Sequence, residues 1–460
     1  MTNDSGTPRV AVLGAGMSGL MAACVAAEAG AEVTVLEKHE AIGGSMAISG
    51  GLIWAPRDID TARQYIPRGR PDLQKILCAD VDTVWGWFDE HDLPLSEESS
   101  CMKDSMGRGR MMALGQAGNR MPFALAMQSL AESHGTVVRT NADVQRLTRE
   151  DGAWALDITH ADKRDRLVAD SVIFATGGFQ NSVEHLATYV TKSPSSLVVR
   201  SNKVSAGAPI DLALPHGARL SNGMSSFYGH TLPWLPGRDI TEDLYIPASQ
   251  YYSDYCVIIN QLGLRFTDES MGVLDEHNAQ EGARQPHARY FLVFDERVRQ
   301  EHVAGDLGLP GIVASKIPDR VELVRELGGN VVEAPTLEQL ASSLSAFDVP
   351  PQNALDTFTA YNDAVSGRDP DTLFPSRVAN RTPLAEPPYV AIECVAGITY
   401  TMGGLAIGES GRVLRTNDGE LDGVYAVGAD AGGVFHDAYG GGLAWAGVTG
   451  RRAGIAAATA

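Results

Sequence analysis

The sequence predicts an α/β fold, in which a doubly wound parallel sheet is interrupted by an α+β domain. Two observations support this prediction. Short apolar runs that end in glycine occur at residues 10–14, 171–178 and 423–430, and such runs are typical of strands buried in a parallel sheet. Between the last two runs lies a segment in which tyrosines and prolines crowd together. The chain has 460 residues, which also exceeds the size of an average single domain.

The amino-acid composition changes at about residue 222, and this change sets the predicted domain boundaries. Residues 1–221 are predicted to form the first part of the sheet domain, and residues 373–460 its second part. Residues 222–372 are predicted to form a cap domain that contacts the substrate. The polar, helix-like stretch 337–365 would form one edge of this cap.

Residues 9–38 carry the pattern of a βαβ unit. The apolar run 10–13 predicts a strand, and residues 18–29, rich in Ala, Leu and Met, predict a helix. Gly30 ends this helix, and the sequence AEVTVLE predicts the second strand.

The segments that follow predict helices separated by glycine-rich loops. Residues 71–92 and 121–134 predict helices, and residues 41–51, with their paired glycines, predict a loop. Residues 104–120 are rich in Gly and Arg and also predict a loop.

The first turn of the βαβ unit has the spacing of a dinucleotide site. Gly14, Gly16 and Gly19 form a GxGxxG motif between a strand and a helix, and Glu37 ends the following strand. In this context the first glycine permits a tight turn, the second lets the backbone approach a pyrophosphate, and the third lets helix and strand pack closely. The helix N-terminus offers N–H groups to the pyrophosphate. Glu37 can accept hydrogen bonds from ribose hydroxyls, which disfavours NADP.

The net charge and the cysteines indicate which classes of partner and which cellular compartment to expect. A formal net charge of −20, spread along the chain, disfavours binding to nucleic acid or to an anionic membrane. The five cysteines form no CxxC pair, which fits free thiols in a reducing compartment. The N-terminal residues are polar, and no run of about 18 apolar residues occurs. We therefore expect a cytoplasmic protein without membrane insertion, and no metal site is predicted.

Five motifs, in order along the chain, resemble those of one flavoprotein family. They are VAVLGAGMSGLMAA, EKHEAIGGSMAISGG, FATGGF, TMGG and GVYAVGAD. This set resembles the family of fumarate reductases, succinate dehydrogenases and 3-ketosteroid dehydrogenases, and the resemblance implies a Rossmann-like FAD-binding domain with bound FAD. Members with covalent flavin carry a histidine in the loop that here reads IGGSMAIS, so the resemblance implies noncovalent FAD.

The resemblance also implies which residues hold this cofactor. Residues 43–45 would line the flavin and diphosphate, residues 176–178 would pass near the adenine, and Asp430 would contact the ribityl or linker oxygens. The predicted cofactor-binding residues are Gly14, Gly16, Ser18, Gly19, Glu37, Lys38, Gly43, Gly44, Ser45, Gly50, Gly51, Thr176, Gly177, Gly428, Asp430, Gly441 and Leu443.

The residues around the expected substrate site differ from those of the fumarate-reducing branch. Where that branch has a proton-donating arginine, this chain has Val273, and where it has a carboxylate-binding arginine, this chain has Tyr439. Tyr400 replaces a histidine before TMGG, and only His230, in YGHTLP, corresponds to a family histidine. These differences disfavour a dicarboxylate reductase.

The stretch HDAYGGGLAWAG, residues 436–447, instead resembles the ketosteroid dehydrogenase branch, in which a tyrosine and a glycine N–H bind the substrate ketone. Desaturation beside a ketone needs donors to the carbonyl oxygen, a base for the α proton, and flavin N5 to accept the β hydride. Tyr439 can donate its O–H, and Gly441 or Gly442 can donate its N–H.

The sequence does not identify the residue that acts as the base, because Val273 occupies the position at which ketosteroid dehydrogenases have a tyrosine. A tyrosine with a pKa near 10 is a poor base at neutral pH and needs a partner or a relay. The candidate bases are Tyr251, Tyr252, Tyr255, His230 and His436. We take Tyr439, Gly442, Tyr400, Tyr252 and His230 as the predicted catalytic residues. Arg108, Arg110 and Arg120 are candidates for binding a substrate carboxylate.

The predicted function is an FAD-dependent desaturase that forms a C=C bond next to the ketone of a cyclic substrate. That substrate would be a small oxocyclohexane-type acid or a steroid-like ketone. One alternative is a flavin-dependent reductase of an unsaturated acid or ketone, and another is a flavin-binding protein without catalysis. The electron acceptor could be oxygen, a quinone or a carrier protein.

Overall fold

The computed structural model describes residues 6–160, 163–273, 275–304, 319–367 and 373–459. The strands of these residues are β1 Arg9–Leu13, β2 Glu32–Leu36, β3 Leu52–Pro56, β4 Ser99–Cys101, β5 Gly107–Met111, β6 Val137–Arg139, β7 Ala142–Glu150, β8 Ala153–His160, β9 Lys163–Ala169, β10 Ser171–Phe174, β11 Val198–Val199, β12 Phe227–Pro233, β13 Val257–Asn260, β14 Arg289–Phe294, β15 Val331–Ala334, β16 Tyr389–Thr401, β17 Arg412–Leu414 and β18 Glu420–Ala426.

Helices of varied length connect these strands. They are α1 Met17–Glu28, α2 Gly44–Ala47, α3 Ile59–Tyr65, α4 Pro71–Glu90, α5 Met121–Ser133, α6 Val183–Tyr189, α7 Ala208–Ala213, α8 Glu276–Ala283, α9 Glu296–Val298, α10 Arg320–Glu326, α11 Leu337–Ser343, α12 Pro351–Val365 and α13 Gly442–Ala458.

The first sheet has the strand order β17-β18-β10-β1-β2-β6. Its central pairs are parallel, and only β17 joins antiparallel, at one edge. Helix α1 is buried along nearly its whole length and packs against α13, α5 and the sheet. Because α1 is surrounded, its sequence is apolar throughout and shows no polar face. The predicted α/β fold with a Rossmann-like parallel sheet is therefore confirmed.

A second sheet lies around the long strand β16, which pairs with β11, β12, β14 and β15. The strands of this sheet fall between Val198 and Thr401, whereas the predicted cap spans residues 222–372. Those boundaries stay predictions. Two smaller antiparallel sheets, β3-β5-β4 and β7-β8-β9, complete the strand topology of the described residues.

One local prediction was wrong. Residues 107–111, predicted as part of a loop, form β5, since a glycine at position 107 leaves room for the ring of Trp54 on the paired strand β3. Residues 337–365, predicted to be helix-like, are mostly helical: they form α11, a 3-10 turn at Leu344–Phe347 and α12, with a break ahead of Pro350. In the described parts of the chain, no helix is both long and apolar enough to cross a membrane.

Candidate active site

A cavity of about 570 Å³ lies between the first sheet and the second. One part of its wall comes from the turns that follow β1, β2 and β10, and another from tyrosines on β12, on β16 and before α13. The carboxyl ends of parallel strands are where ligands bind in such sheets.

The β1–α1 turn is shaped for close approach of the backbone. Gly14 has a φ of +108°, and a Cβ there would collide with the carbonyl oxygen of Ala175. A Cβ on Gly19 would collide with the carbonyl oxygen of Gly14. Gly16, by contrast, has open space beside it and lines the cavity. These are the roles that the GxGxxG spacing predicts for a turn that receives a pyrophosphate.

Glu37 organises the next turn of the cavity wall. Its Oε2 accepts a hydrogen bond from Ala15 N at 2.8 Å, and its Oε1 accepts one from His39 N at 2.8 Å. Lys38, which also lines the cavity, forms an ion pair of 3.2 Å with Asp143. The carboxylate of Glu37 is thus fixed at the end of β2, where a ribose is expected.

The glycine-rich loop after β2 forms the middle of the cavity wall. Ser45 Oγ lies 3.0 Å from Ser201 Oγ and accepts a hydrogen bond of 2.7 Å from Asn202 Nδ2. Gly43 sits behind this loop and donates its N–H to Ala15 O at 2.8 Å. The supporting pair Ser201 and Asn202 was not predicted, because both residues lie far from the loop along the chain.

The carboxylate of Asp430 binds groups of the protein's own turn after β10. Its carboxylate accepts hydrogen bonds from Thr176 N, from Thr176 Oγ1 at 2.9 Å and from Gly178 N at 2.8 Å. Burial raises its pKa to about 6, against the effect of these donors. Asp430 therefore shapes the TGG turn after β10, and it does not line the cavity as a direct cofactor contact would require.

Most predicted cofactor-binding residues line the cavity, and the rest support its wall from behind. Those at the cavity surface are Gly14, Gly16, Ser18, Glu37, Lys38, Gly44, Ser45, Gly50, Gly51, Thr176, Gly177, Gly428 and Leu443. Those behind the wall are Gly19, Gly43, Asp430 and Gly441. The glycine turn, the fixed carboxylate and the helix N-terminus together fit a dinucleotide.

Tyr439 and Gly442 meet at the start of α13. Gly442 N donates a hydrogen bond of 2.8 Å to the hydroxyl of Tyr439, so the two predicted donors to a ketone lie side by side. The ring of Tyr439 stacks on that of Tyr228, with centroids 3.9 Å apart, and contacts Trp54 edge-on at 5.5 Å. Burial raises the pKa of Tyr439 to about 12, so its hydroxyl keeps its proton.

A chain of three side chains reaches the same cavity from β12. The hydroxyl of Tyr228 lies 3.0 Å from Nε2 of His230, and Nδ1 of His230 lies 2.5 Å from Oδ1 of Asp275. Asp275 Oδ2 accepts a further bond of 2.7 Å from Thr231 N. Burial lowers the pKa of His230 against the opposing effect of Asp275. A neutral imidazole that donates Nδ1–H to Asp275 leaves Nε2 free to accept the proton of Tyr228.

Tyr400 completes the group of tyrosines. Its hydroxyl is buried and has no hydrogen-bond partner among the described residues. Its ring centroid lies 5.8 Å from that of Tyr228 and 6.2 Å from that of Tyr439. Tyr400 lines the cavity, and its buried hydroxyl has an unmet hydrogen bond.

The structure separates the candidate bases. Tyr251 lines the cavity and contacts the ring of His230 edge-on, with centroids 4.7 Å apart. Tyr252 lies outside the cavity, because its side chain packs in a hydrophobic cluster with Cys256, Tyr290 and Phe294 and its hydroxyl donates to Gln250 Oε1 at 2.5 Å. Tyr252 was therefore wrongly placed at the site. Tyr255 stacks on His302 at 3.5 Å and is also outside.

Two other positions named in the sequence analysis, His436 and Val273, lie away from the cavity. His436 Nδ1 lies 2.5 Å from Asp437 Oδ1, and His436 does not line the cavity. Val273 is buried in the main hydrophobic cluster, and its N–H donates to Glu276 Oε1 at 2.8 Å. The place of the family's base therefore carries no proton-transferring group.

The three arginines predicted for a carboxylate already have partners. Arg108 is paired with Asp82 at 2.6 Å, and Arg110 with Asp89 at 2.7 Å. Arg120 is buried and donates to backbone carbonyls, including that of Gly50 at 2.7 Å, so it holds the glycine-rich loop in place. None of these arginines lines the cavity.

Tyr228 and Asp275 were missed in the sequence. Tyr228 belongs to the segment in which tyrosines and prolines crowd together, and it precedes His230 by two residues, the spacing that places side chains on one face of a strand. That signal could have joined Tyr228 to His230. No local pattern marks Asp275.

The family can now be identified by comparison with known proteins. The sequence model of a family described as "FAD binding domain" matches residues 9–443. The chain belongs to this family. FAD is its cofactor, and the protein is an FAD-dependent oxidoreductase, as the motifs predicted. Noncovalent attachment of the FAD stays a prediction.

Two curated relatives carry names of different reactions. The chain is 25% identical to the NADH:fumarate oxidoreductase of Klebsiella pneumoniae, and the match covers 92% of this chain and 44% of that protein. The chain thus spans less than half the length of that relative. It is 24% identical to the 4-oxocyclohexanecarboxylate 2-dehydrogenase of Sinomonas cyclohexanicum, over 96% of this chain and 91% of that protein.

Among solved structures, the fold matches a 3-ketosteroid Δ1-dehydrogenase from Sterolibacterium denitrificans. The TM-score is 0.74 at 18% identity, covering 98% of this chain and 100% of the other. This match supports the fold, and it agrees with the resemblance that the motifs indicated.

The glycine turn leads to a paired prediction on flavin binding. Gly16 has a φ of −82°, which alanine can adopt, and the nearest atom to its added Cβ is Gly43 O at 3.9 Å. We expect Gly16→Ala to leave the Tm of the apoprotein unchanged and to lower the flavin content of the purified protein, because the methyl group projects into the cavity.

Gly14→Ala is the contrasting variant. It combines a left-handed backbone with a collision against Ala175, so it should destabilise the apoprotein itself by at least about 1–2 kcal/mol. Thermal unfolding and the ratio of flavin to protein absorbance measure both effects. Equal loss of Tm in the two variants would contradict the assignment of Gly16 to the cofactor wall.

Proposed function

We propose that this oxidoreductase is a desaturase that forms a C=C bond next to the ketone of a cyclic substrate. One observation carries the proposal. The hydroxyl of Tyr439 and the N–H of Gly442 lie 2.8 Å apart, and the ring of Tyr228, the first member of the Tyr228–His230–Asp275 chain, stacks on Tyr439. Donors for a carbonyl oxygen and a route for a proton thus share one cavity.

Tyr439 and Gly442 are suited to hold a ketone oxygen. In the structure Gly442 N donates to the hydroxyl of Tyr439, and a carbonyl oxygen can replace that hydroxyl as the acceptor while also accepting its O–H. As the α proton leaves, negative charge develops on this oxygen, and two fixed donors in a buried site stabilise it. The N-terminus of α13, which begins at Gly442, adds positive potential.

Tyr228 is suited to take the α proton. Its phenol accepts that proton from carbon while passing its own to Nε2 of His230, and the resulting imidazolium is held by the carboxylate of Asp275. The phenol therefore never has to exist as a free phenolate, which its burial opposes. Bound FAD supplies a two-electron acceptor for the β hydrogen as hydride.

The relatives support this choice without fixing the substrate. The Sinomonas protein is named as a dehydrogenase of a cyclic keto acid, and its match extends over nearly the whole of both chains. The fold match to a ketosteroid dehydrogenase agrees with chemistry on a cyclic ketone.

A reductase of an unsaturated acid or ketone is the second candidate. Burial raises the pKa of Tyr228 well above its usual value, so its phenol is protonated at rest and could serve as the proton donor in the reverse reaction. The same residues catalyse both directions, because forward and reverse reactions share one transition state.

Anaerobic mixing distinguishes the two directions. We expect cyclic ketones such as 4-oxocyclohexanecarboxylate to bleach the oxidised flavin absorbance when mixed with the holoenzyme without oxygen. If no cyclic ketone bleaches the flavin, and an unsaturated acid or enone reoxidises the chemically reduced enzyme, the reductase is the correct function. If neither reaction occurs, the chain is a flavin-binding protein without this catalysis.

A further inference from the structure

Arg200 is a buried guanidinium on the cavity wall. It follows β11 directly, and its backbone N donates to Ile398 O on β16 at 2.9 Å. Only 9% of the residue is exposed. Its side chain lines the same cavity as the three tyrosines and His230.

The protein satisfies only part of this guanidinium. Nη1 donates to Thr399 Oγ1 at 3.2 Å, and Nη2 donates to the carbonyl oxygen of Tyr245 at 3.3 Å. Nε has no acceptor among the described residues. A guanidinium carries five N–H donors, and these two bonds use only two of them.

No carboxylate of the described residues lies within 4.0 Å of Arg200. By contrast, the buried Arg265 and Arg377 both contact Glu269, at 2.6 and 3.6 Å. A buried charge without an opposite charge is costly. The position of Arg200 on a ligand cavity indicates that its counter-charge arrives with a ligand.

Arg200 and a second cation lie beside the same aromatic ring. Its guanidinium lies 5.7 Å from the ring centre of Tyr245, and Lys203 Nζ lies 5.9 Å from the same ring. Glu242 also lines the cavity, but it forms no ion pair with Arg200 in the described residues. Burial dominates the raised pKa of Tyr228, and the charge of Arg200 opposes it, so Arg200 acts electrostatically on the proposed base.

We propose that Arg200 binds a carboxylate of the substrate, so that the enzyme acts on cyclic keto acids or their unsaturated counterparts and discriminates against neutral ketones. This inference rests on the proposed function for the ketone end, which Tyr439 and Gly442 hold. Arg200 then anchors the other end of the molecule. A phosphate of the cofactor shares the same anionic chemistry and is an outcome that the experiment separates.

Ligand binding to the holoenzyme tests the proposal without turnover. Cyclohexanecarboxylate and cyclohexanone are titrated separately, without oxygen, into wild type and Arg200→Gln whose flavin has been chemically reduced, so that the ketone binds but is not desaturated. Binding is followed by the change in the absorption spectrum of the reduced flavin. We expect Arg200→Gln to weaken binding of the acid roughly 10²-fold, as for loss of one partner of a buried charge pair, and to change binding of the ketone less than about twofold. Arg200→Lys should recover part of the acid affinity, because it keeps the charge and loses the planar fork.

Lys203→Gln is the matched control. It removes a neighbouring cation that does not line the cavity and whose Nζ donates to Val199 O and to the hydroxyl of Tyr245, and we expect acid and ketone affinities close to those of wild type. An equal loss of acid affinity in Lys203→Gln, or equal weakening of acid and ketone in Arg200→Gln, would overturn the proposal. So would a wild type that binds the acid no more tightly than the ketone.

Two further outcomes separate this proposal from others. If Arg200→Gln purifies with reduced flavin content, the residue binds the cofactor, and the proposed substrate role is overturned. A wild type that distinguishes acid from ketone through Arg200, but whose flavin no ketone bleaches, supports the carboxylate site and refutes only the desaturase function.

Discussion

Replacing Tyr439 by phenylalanine should lower turnover roughly 10²–10³-fold, the cost of removing one donor to a developing oxyanion. The variant keeps the ring that stacks on Tyr228 and contacts Trp54, and it removes only the hydroxyl. Gly442 N then remains as the single donor of this pair. The rate of flavin reduction by the cyclic keto acid, measured by anaerobic stopped-flow absorbance, reports the effect directly.

Substrate affinity should change much less than this rate. The carbonyl oxygen of the ground state carries little charge, whereas the enolate-like transition state carries much more, so the loss falls on the rate of the chemical step. Tyr361→Phe is the matched control, because its hydroxyl donates to Thr382 O at 3.0 Å in a separate hydrophobic cluster. A Tyr439→Phe enzyme that reduces its flavin as fast as the control would remove Tyr439 from the mechanism.

The parts of the fold that the sequence predicts well are local ones. The strand, glycine turn and helix at residues 9–38 follow one another directly, and each is specified by residues that touch neighbours in the chain. The register of β1 between β2 and β10 brings Gly14 against Ala175, a contact that only glycine allows. The wall that receives the cofactor is therefore predictable from its local motifs.

The proton route was not predictable, because it depends on contacts across the chain. His230 was identified from YGHTLP, but Asp275 lies 45 residues further on, and no spacing rule joins them. Tyr251 and Tyr252 are adjacent, yet Tyr251 contacts His230 and Tyr252 packs into a separate hydrophobic cluster. Sequence alone offers no means of choosing between two neighbouring tyrosines in an irregular segment.

The arginines show that the pairing of charges was also not predictable from the sequence. Arg108 and Arg110 looked free because their acidic partners, Asp82 and Asp89, stand on the preceding helix α4. No sequence pattern distinguishes Arg200. Its importance follows from its surroundings, which are two acceptors at 3.2 and 3.3 Å and a cavity. Unpaired charge is a property of the folded surroundings, so it becomes visible only in the structure.

Replacing Tyr228 by phenylalanine should lower the rate of flavin reduction roughly 10²–10⁴-fold, the range for loss of a positioned base. Phenylalanine keeps the stack of 3.9 Å on Tyr439, so the ketone donors stay in place. Flavin content and Tm should match those of Tyr361→Phe. A rate within threefold or so of that control would show that Tyr228 does not take the proton.

The pH profile separates a proton route from a merely structural tyrosine. The route needs a neutral His230 to accept at Nε2, and burial lowers the pKa of His230 below its usual value. The wild-type rate should therefore hold through neutral pH and fall only as pH drops through that lowered pKa. The residual rate of Tyr228→Phe should lack this acidic decline, because Nε2 no longer receives a proton from the phenol.

Asp275→Asn tests the same route from its far end. The amide oxygen of asparagine can still accept from Thr231 N, which places the amide NH₂ against Nδ1 of His230. An N–H there favours the tautomer with its proton on Nε2, and that nitrogen can no longer accept from Tyr228. The rate should then fall nearly as far as in Tyr228→Phe, and combining both substitutions should add little, because the residues act as one unit. Fully multiplicative losses in the double variant would mean that Tyr228 and Asp275 act independently, and the proton would then have to leave by another route.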